Sequence, residues 1–115
     1  MILPRTGELK ERIDILNIRE PFDLNWVGTI YSTFATGVPA KIIPRGGDII
    51  ESTQETQTGR QAYDIWIRYR SGVTAFQQID WRGRRLVLTG PPEEIVRRRW
   101  LLIHAEERTA RNISQ

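Results

Sequence analysis

Arginine is the residue type best placed to do chemistry in this chain, because fifteen of its 17 basic residues are arginine. Six of them form two groups on either side of Pro91-Pro92: Arg82, Arg84 and Arg85, and then Arg97, Arg98 and Arg99. A guanidinium binds carboxylates and phosphates through planar, bidentate hydrogen bonds, and arginine is enriched in protein interfaces. The pattern therefore predicts contact with a protein or with nucleic acid, although a solvated basic face fits the charge equally well.

The two arginine groups are expected to lie near each other, since the strands on either side of Pro91-Pro92 would pair antiparallel. Six neighbouring cations repel one another unless carboxylates face them or the side chains point into water. Glu93 and Glu94, in the intervening turn, supply only two carboxylates. The others would come from another protein or from acidic residues of a neighbouring subunit: Glu8, Glu11 or Asp14.

The other reactive groups are few, and they predict a protein without a catalytic, cofactor or metal site. There is no cysteine, and His104 is the one histidine, which excludes a thiolate zinc site and a histidine-rich metal centre. The adjacent Glu93 and Glu94 diverge on a turn, so they do not form a catalytic carboxylate pair. Gly46-Gly47 lacks the lysine and helix of a phosphate-binding loop. We therefore expect a protein that is not an enzyme.

The tryptophans have a similarly plain interpretation. Trp66, Trp81 and Trp100 are predicted to be core or interface anchors, rather than platforms on which nucleic-acid bases stack.

Length and composition predict one domain, spanning residues 1–115. The net charge is +3, but it is uneven, with six basic and eight acidic residues in positions 1–59 and eleven and six in positions 60–115. The longest apolar runs, such as Trp100–Ile103, are far shorter than the roughly 20 residues that cross a bilayer. We expect no membrane contact and a soluble, intracellular product.

The elements that must position these residues are predicted to be strands. Charged and apolar residues alternate from Glu11 to Ile18 and, most clearly, from Tyr63 to Arg70. Shorter strands are expected at 76–81, at 85–89 after a hairpin at 82–84, and at 95–105, whose second half is apolar on both faces. Residues 26–34 fit a bulged strand or a short helix. The sequence predicts an all-β fold, a small antiparallel β-barrel or sandwich of about six strands with little helix.

Two segments lack periodicity. Residues 45–59 are polar and bounded by glycine, which predicts a long, mobile, projecting loop. Residues 106–115 form a polar tail that is expected to be helical or frayed.

Four segments together resemble one protein family. They are GELKERIDI at 7–15, AKIIP at 40–44 followed by the polar loop, IRYRSGV at 67–73 and IDWRGRRLVL at 79–88. In this order they resemble the tailed-phage head-tail joining family, the head-closure, stopper or adaptor proteins. The resemblance covers residues 7 to 107 and is weakest between residues 26 and 40 and after residue 107.

The resemblance implies a small β-barrel that assembles as a homo-oligomeric ring. Such a ring joins a portal or adaptor protein on the head side to a tail-completion or tail-tube protein on the tail side. DNA passes through its channel without sequence-specific binding. The expected location is the virion connector, with assembly in the host cytoplasm. The alternative is a small-barrel nucleic-acid-binding protein, which the arginines and exposed aromatic residues support, while the nearly balanced charge and the acidic loop count against it.

Carried over to this chain, the resemblance makes residues 45–59 the channel or gating loop, with these residues in it: Arg45, Gly46, Gly47, Asp48, Glu51, Glu55 and Gly59. The loop has three carboxylates against one arginine, so a ring of copies would present an acidic collar that repels DNA phosphates. The predicted subunit, portal or tail interface consists of Arg68, Arg70, Arg82, Arg84, Arg85, Arg97, Arg98, Arg99 and Trp100.

Overall fold

Seven strands make up most of the computed structural model, which describes residues 3–19, 30–52 and 56–112. A short 3-10 helix, Thr6–Glu8, precedes the first strand, and a four-residue turn, Val96–Arg99, separates the last two. The strands are β1 (Glu11–Arg19), β2 (Ile30–Ser52), β3 (Thr56–Arg68), β4 (Gln78–Trp81), β5 (Arg84–Leu88), β6 (Glu93–Ile95) and β7 (Trp100–Asn112).

The sheet closes on itself. Its order is β3-β2-β1-β4-β5-β7, all antiparallel, and β3 also pairs with β7, so six strands form a closed barrel. The short β6 adds to β7 beside the barrel. Closure confirms the predicted all-β fold and decides for the barrel over the sandwich. It also makes the described part of the undecided 26–34 segment, residues 30–34, a strand.

The residues of the barrel core are those that the alternation of apolar and polar residues indicates. Ile13 and Ile15 of β1, and Ile65 and Ile67 of β3, are almost completely buried in the barrel. They meet residues of the other strands in one cluster that includes Ile79, Leu86 and Ile103. Because successive side chains of a strand point to opposite faces, the alternation predicted which face would be buried.

The apolar run at the start of β7, which the sequence shows as apolar on both faces, lies between two layers. Leu101 and Ile103 face the barrel core. Trp100 and Leu102 face outward into a second cluster, where they pack with Trp66 of β3 and Leu9 of the N-terminal segment. The outer face of β3 and β7 is thus covered by the residues that precede β1.

Three segments differ most from the sequence prediction. The expected strand at 95–105 is divided by the turn at 96–99 into β6 and a longer β7. The polar tail is not helical where it is described, because β7 continues to Asn112. Residues 45–52 and 56–59 are not a loop, because they belong to β2 and β3. Polar composition shows that a segment does not supply a core, but it does not prevent backbone pairing.

Candidate functional site

The arginines after β4 are paired within the chain. Arg82 and Gly83 form the hairpin turn with positive φ angles, 53° and 79°, a backbone twist that suits a two-residue hairpin. Each of the three arginines faces a carboxylate at the following distances: Arg82 Nη2 to Glu11 Oε1, 2.9 Å; Arg84 Nε to Glu107 Oε2, 3.7 Å; Arg85 Nη2 to Asp80 Oδ2, 3.9 Å. The expected need for carboxylates from a second protein therefore does not hold for this group.

The ring of Trp81 contacts two of these three arginines. The guanidinium carbons of Arg82 and Arg84 lie 5.8 and 5.6 Å from its ring centroid, within the range of cation-π attraction. Its Nε1 donates a hydrogen bond to Glu11 Oε1 at 3.0 Å, and its ring packs edge-on against Tyr63 with centroids 5.4 Å apart. Trp81 thus anchors this hairpin, in agreement with its prediction as a packing residue.

The other suggested partner carboxylates are also engaged inside the chain. Glu8 pairs with Lys41 Nζ, and Asp14 accepts a hydrogen bond from the backbone N–H of Gly37. The Lys41 hydrogen bond, with a backbone hydrogen bond from Arg5, lowers the pKa of Glu8 below its ordinary value of 4.5.

The second arginine group lies in a strained turn. Val96 and Arg98 have positive φ angles of 53° and 58°, a region that residues other than glycine adopt rarely. The turn is held by a hydrogen bond from the Arg98 backbone N–H to Glu94 Oε1 (2.7 Å) and by one from the Tyr69 N–H to the Arg99 carbonyl (3.0 Å). The side chains of Arg97, Arg98 and Arg99 are exposed, as is Arg70. Among the described residues none of these four arginines has an ion-pair partner.

Arg68 and Trp100, although predicted as interface residues, contact each other. The guanidinium of Arg68 lies 4.5 Å from the Trp100 ring centroid and donates a hydrogen bond to Thr6 Oγ1. Trp100 is buried, and it packs edge-on against Trp66 with centroids 6.4 Å apart. This pair fastens the N-terminal segment to β3 and β7.

The two arginine groups are not neighbours, so their predicted proximity is wrong. Both β5 and β6 lie along the same edge of β7, but Ile95 is opposite Trp100 whereas Val87 is opposite Glu106. Six residues of strand correspond to about 20 Å. The segment at Pro91-Pro92 continues along β7 and does not fold back, so the charges at its two ends are kept apart.

The segment predicted as a loop forms part of a three-stranded arm. We call β2 residues 47–52, β3 residues 56–61 and β7 residues 107–112 the arm, since they lie beyond the last pairing of β5 with β7. Gly46 lies at a β-bulge, between the pairs Pro44–Tyr63 and Gly47–Gln61. Asp48, Glu51 and Gly59 occupy strand positions, and Glu55 lies outside the described residues.

A network of four polar side chains crosses four strands at the base of the arm. Arg45 Nε of β2 lies 2.7 Å from Asp64 Oδ2 of β3. Asp64 Oδ1 lies 2.8 Å from Nδ1 of His104 on β7, whose Nε2 lies 3.2 Å from Glu93 Oε2 on β6. Only one feature of the sequence indicates this network, the polar residues at positions 64 and 104 of otherwise apolar strands. No cluster of the described histidine, aspartate and glutamate residues has the arrangement of a metal site.

A family model described as "Phage head completion protein" matches residues 4–108 of this sequence. The chain belongs to the phage head completion family. Its fold is similar to that of the phage-like element PBSX protein xkdH from Bacillus subtilis, with a TM-score of 0.56 and 14% identity over 84% of this chain and 92% of the other. A comparison with curated proteins gave no match.

Membership in this family confirms the family that the four sequence segments predicted. It also gives the general function of the protein. The protein takes part in phage head completion, is a component of the virion and interacts with other phage head or tail proteins. Head completion is a structural role. In the described ranges, no helix is long and apolar enough to cross a membrane.

In this head completion protein the network of polar side chains around His104 makes the free energy of unfolding depend on pH. Burial alone would lower the pKa of His104, but hydrogen bonds to Asp64 and Glu93 outweigh it and raise the pKa above 6.5. Because the folded state binds this proton more tightly, the stabilisation is complete below pH 6.5 and is lost as pH rises through the folded pKa. We expect the free energy of unfolding to fall between about pH 5.5 and about pH 8.5.

Urea unfolding of the wild type and of His104→Gln at both pH values measures this effect. His104 is the one histidine of the chain, so the substitution should flatten the pH dependence in this range. An equal slope in the variant would show that other groups cause it.

Proposed function

We propose that this head completion protein assembles as a homo-oligomeric ring in the connector, between the portal or adaptor protein and a tail-completion or tail-tube protein. The ring extends the DNA exit channel, and DNA passes through it without sequence-specific binding. Copies assemble in the host cytoplasm and remain in the virion. The arm of each copy projects into the channel and narrows it.

The arm is the observation that carries this proposal. Three strands continue for six residues beyond the barrel pairing, which corresponds to about 20 Å. The radius of gyration is 16.1 Å, against about 13 Å for a compact chain of this length. A monomeric barrel gains little from such an extension, whereas a ring would bring the arms of all copies together near its axis.

The arrangement of charge along the arm supports a channel position. Asp48 and Glu51 belong to β2, and Arg108 and Arg111 belong to β7, with β3 between them. We propose that the β2 edge faces the channel, because an acidic lining repels DNA phosphates, whereas an arginine-bearing edge would bind them. The acidic collar inferred from the sequence would thus come from one edge of the arm.

An arm-shortened variant tests the proposal. Residues 50–58 are replaced by Asn-Gly, which joins the paired residues Ile49 and Gly59 through a two-residue hairpin turn. We expect the variant to form rings and to join heads as the wild type does, but most completed heads should lose DNA. The measurements are light scattering for ring formation and the fraction of packaged DNA that becomes nuclease-sensitive.

The outcomes separate ring formation from gating. Retention of DNA at the wild-type level by the shortened variant would contradict the gating role. A wild-type chain that stays monomeric in solution and on heads would contradict the ring. Salt-dependent binding of the free chain to duplex DNA, with a log-log slope of several units, would favour the nucleic-acid-binding alternative.

A further inference from the structure

The connection between β3 and β4, residues 69–77, is folded onto the barrel. Tyr69 and Val73 pack against the barrel core. Gly72 has a φ of +88°, and a Cβ at this position would lie 2.8 Å from Cζ of Phe34. The backbone therefore approaches the β2 side chain as closely as it can, and only glycine fits without strain.

The side chain of Gln77 fixes this connection from inside. It is 6% exposed, and both ends of its amide are used. Oε1 accepts a hydrogen bond from the Thr74 N–H at 3.0 Å, and Nε2 donates to the Gly72 carbonyl (3.1 Å) and to Asn17 Oδ1 (2.9 Å). The backbone N–H of Gln77 also donates to the Thr74 carbonyl. The connection is thus held in one conformation by contacts that do not involve its tip.

Phe76 stands at that tip, and its side chain is 84% exposed. The other large apolar side chains that are exposed in the described ranges, among them Tyr31 and Val96, reach less than 50%. Single exposed apolar residues are common on protein surfaces. Phe76 differs in that a buried, hydrogen-bonded residue next to it fixes the backbone that presents it. An anchor ordered in advance loses little conformational entropy when it binds.

Phe76 lies at the same end of the barrel as the four arginines that have no ion-pair partner in the described ranges. The Tyr69 N–H, at the start of the connection, donates to the Arg99 carbonyl in the β6–β7 turn. We call Arg70, Phe76, Val96, Arg97, Arg98 and Arg99 the docking end. It lies beyond residue 68 of β3, and the arm ends at residue 61 of the same strand, so about 23 Å of strand separates them.

We propose that the docking end binds another head or tail protein, through an apolar pocket that receives Phe76 and carboxylates that face the four arginines. Exposed aromatic and arginine residues on one surface are typical of the residues that carry binding energy in protein interfaces. The inference rests on the proposed connector role and names its contact surface.

A protein fits the docking end better than DNA does. One exposed phenyl ring would stack on a single base, whereas single-strand binders use successive aromatic residues. The three consecutive arginines lie in a tight turn and not along a groove that could follow a phosphate backbone. Phosphate binding would also leave the apolar surface of Phe76 and Val96 exposed to water.

A different protein also fits better than a second copy of this chain. The carboxylates of the described barrel already have partners within the chain, as the following residues illustrate: Glu8, Glu11, Asp64, Asp80, Glu93, Glu94 and Glu107. In a second copy these described carboxylates are already engaged, and the acidic β2 edge of the arm is the one we assign to the channel, whereas an acidic pocket on another protein would be free to receive the arginines.

The variant Phe76→Ser tests the inference, with Tyr31→Ser as the control that removes another exposed aromatic ring. Each chain is sedimented with DNA-filled heads that lack it, with isolated tails and with a duplex DNA fragment. We expect Phe76→Ser to weaken binding to heads or to tails by more than tenfold, and Tyr31→Ser to change it by less than about twofold. Thermal unfolding and ring size should be unchanged in both variants.

Each other outcome identifies a different failure. If the wild type binds neither heads nor tails, the connector role itself is wrong. If the wild type binds and Phe76→Ser binds equally, the connector role stands and the docking end is wrong. Dissociation of the ring by Phe76→Ser would assign the surface to a second copy, and a loss confined to duplex DNA would assign it to nucleic acid. Either result overturns the inference.

Discussion

Replacing Ile65 by alanine should lower the free energy of unfolding by about 3 kcal/mol, the largest effect of a single substitution that we expect. Ile65 is completely buried at the middle of β3, where it stands opposite Ile42 of β2 and Ile103 of β7. Three carbon atoms are lost, and strands paired on both sides of β3 cannot move in to fill the cavity. Thermal unfolding should shift down by roughly 10 °C.

Val87→Ala is the control for this prediction. Val87 lies on β5, its side chain is exposed, and its truncation should change stability by less than about 0.5 kcal/mol. A loss for Ile65→Ala no larger than that of the control would contradict the closed barrel, because it would mean that β3 is free to adjust on one side.

The strands with alternating burial could be predicted from the sequence. Ile13 and Ile15, like Ile65 and Ile67, are separated by polar residues, and this pattern assigns both the strand and its buried face. The apolar run at the start of β7 equally implied two covered faces. The sequence does not predict which residues cover the outer face of β3 and β7. Leu9 reaches Trp66 there through a contact between segments that are distant in sequence.

The strands of the arm were not predicted from the sequence, for a different physical reason. The sequence of these strands shows none of the apolar alternation that marks a strand. They are held by the backbone pairing of β3 with β2 and with β7, and the paired residues of β3 and β7 in the arm are more than 40 residues apart along the chain. Pairing of that kind leaves no local sequence signal beyond its threonines, which favour strands.

The sequence predicted which arginines form the candidate site, but it did not predict their positions relative to one another. Sequence reasoning identified the arginines and treated the two groups as one surface. In the structure Arg82, Arg84 and Arg85 face carboxylates of the same chain, whereas Arg97, Arg98 and Arg99 form no ion pair with the residues that the structure describes. The distinction depends on which strands lie beside each group. Phe76 was missed because an exposed apolar residue in a short strand pattern is indistinguishable from a buried one.

The positions of the arm and the docking end fit a connector. Strand β3 joins them, with the arm at its first residues and the docking end after its last, and the barrel core packs around its middle. A protein that contacts neighbours at one end and a channel at the other needs such a rigid element between them. Closure of the sheet supplies that rigidity, since both edges of β3 are paired.

Replacing Gln77 by alanine should both destabilise the chain and weaken partner binding, although Phe76 is unchanged. The substitution removes three hydrogen bonds of a buried amide, and it leaves Asn17 and the 72–74 backbone to find other partners. We expect the free energy of unfolding to fall by about 2 kcal/mol. Hydrogen exchange of the 72–76 amides should accelerate more than that of β3, because the connection loses its fixed conformation.

Gln78→Ala is the matched control for this second prediction. Gln78 is the next residue, and its amide makes one long contact of 3.4 Å with Arg85 at the surface. Its removal should leave stability, exchange and binding close to the wild type. If Phe76 binds its partner as a fixed anchor, Gln77→Ala should weaken binding at temperatures where the barrel is still folded. Unchanged binding by a chain with rapidly exchanging 72–76 amides would mean that Phe76 is ordered by its partner, and that Gln77 serves stability alone.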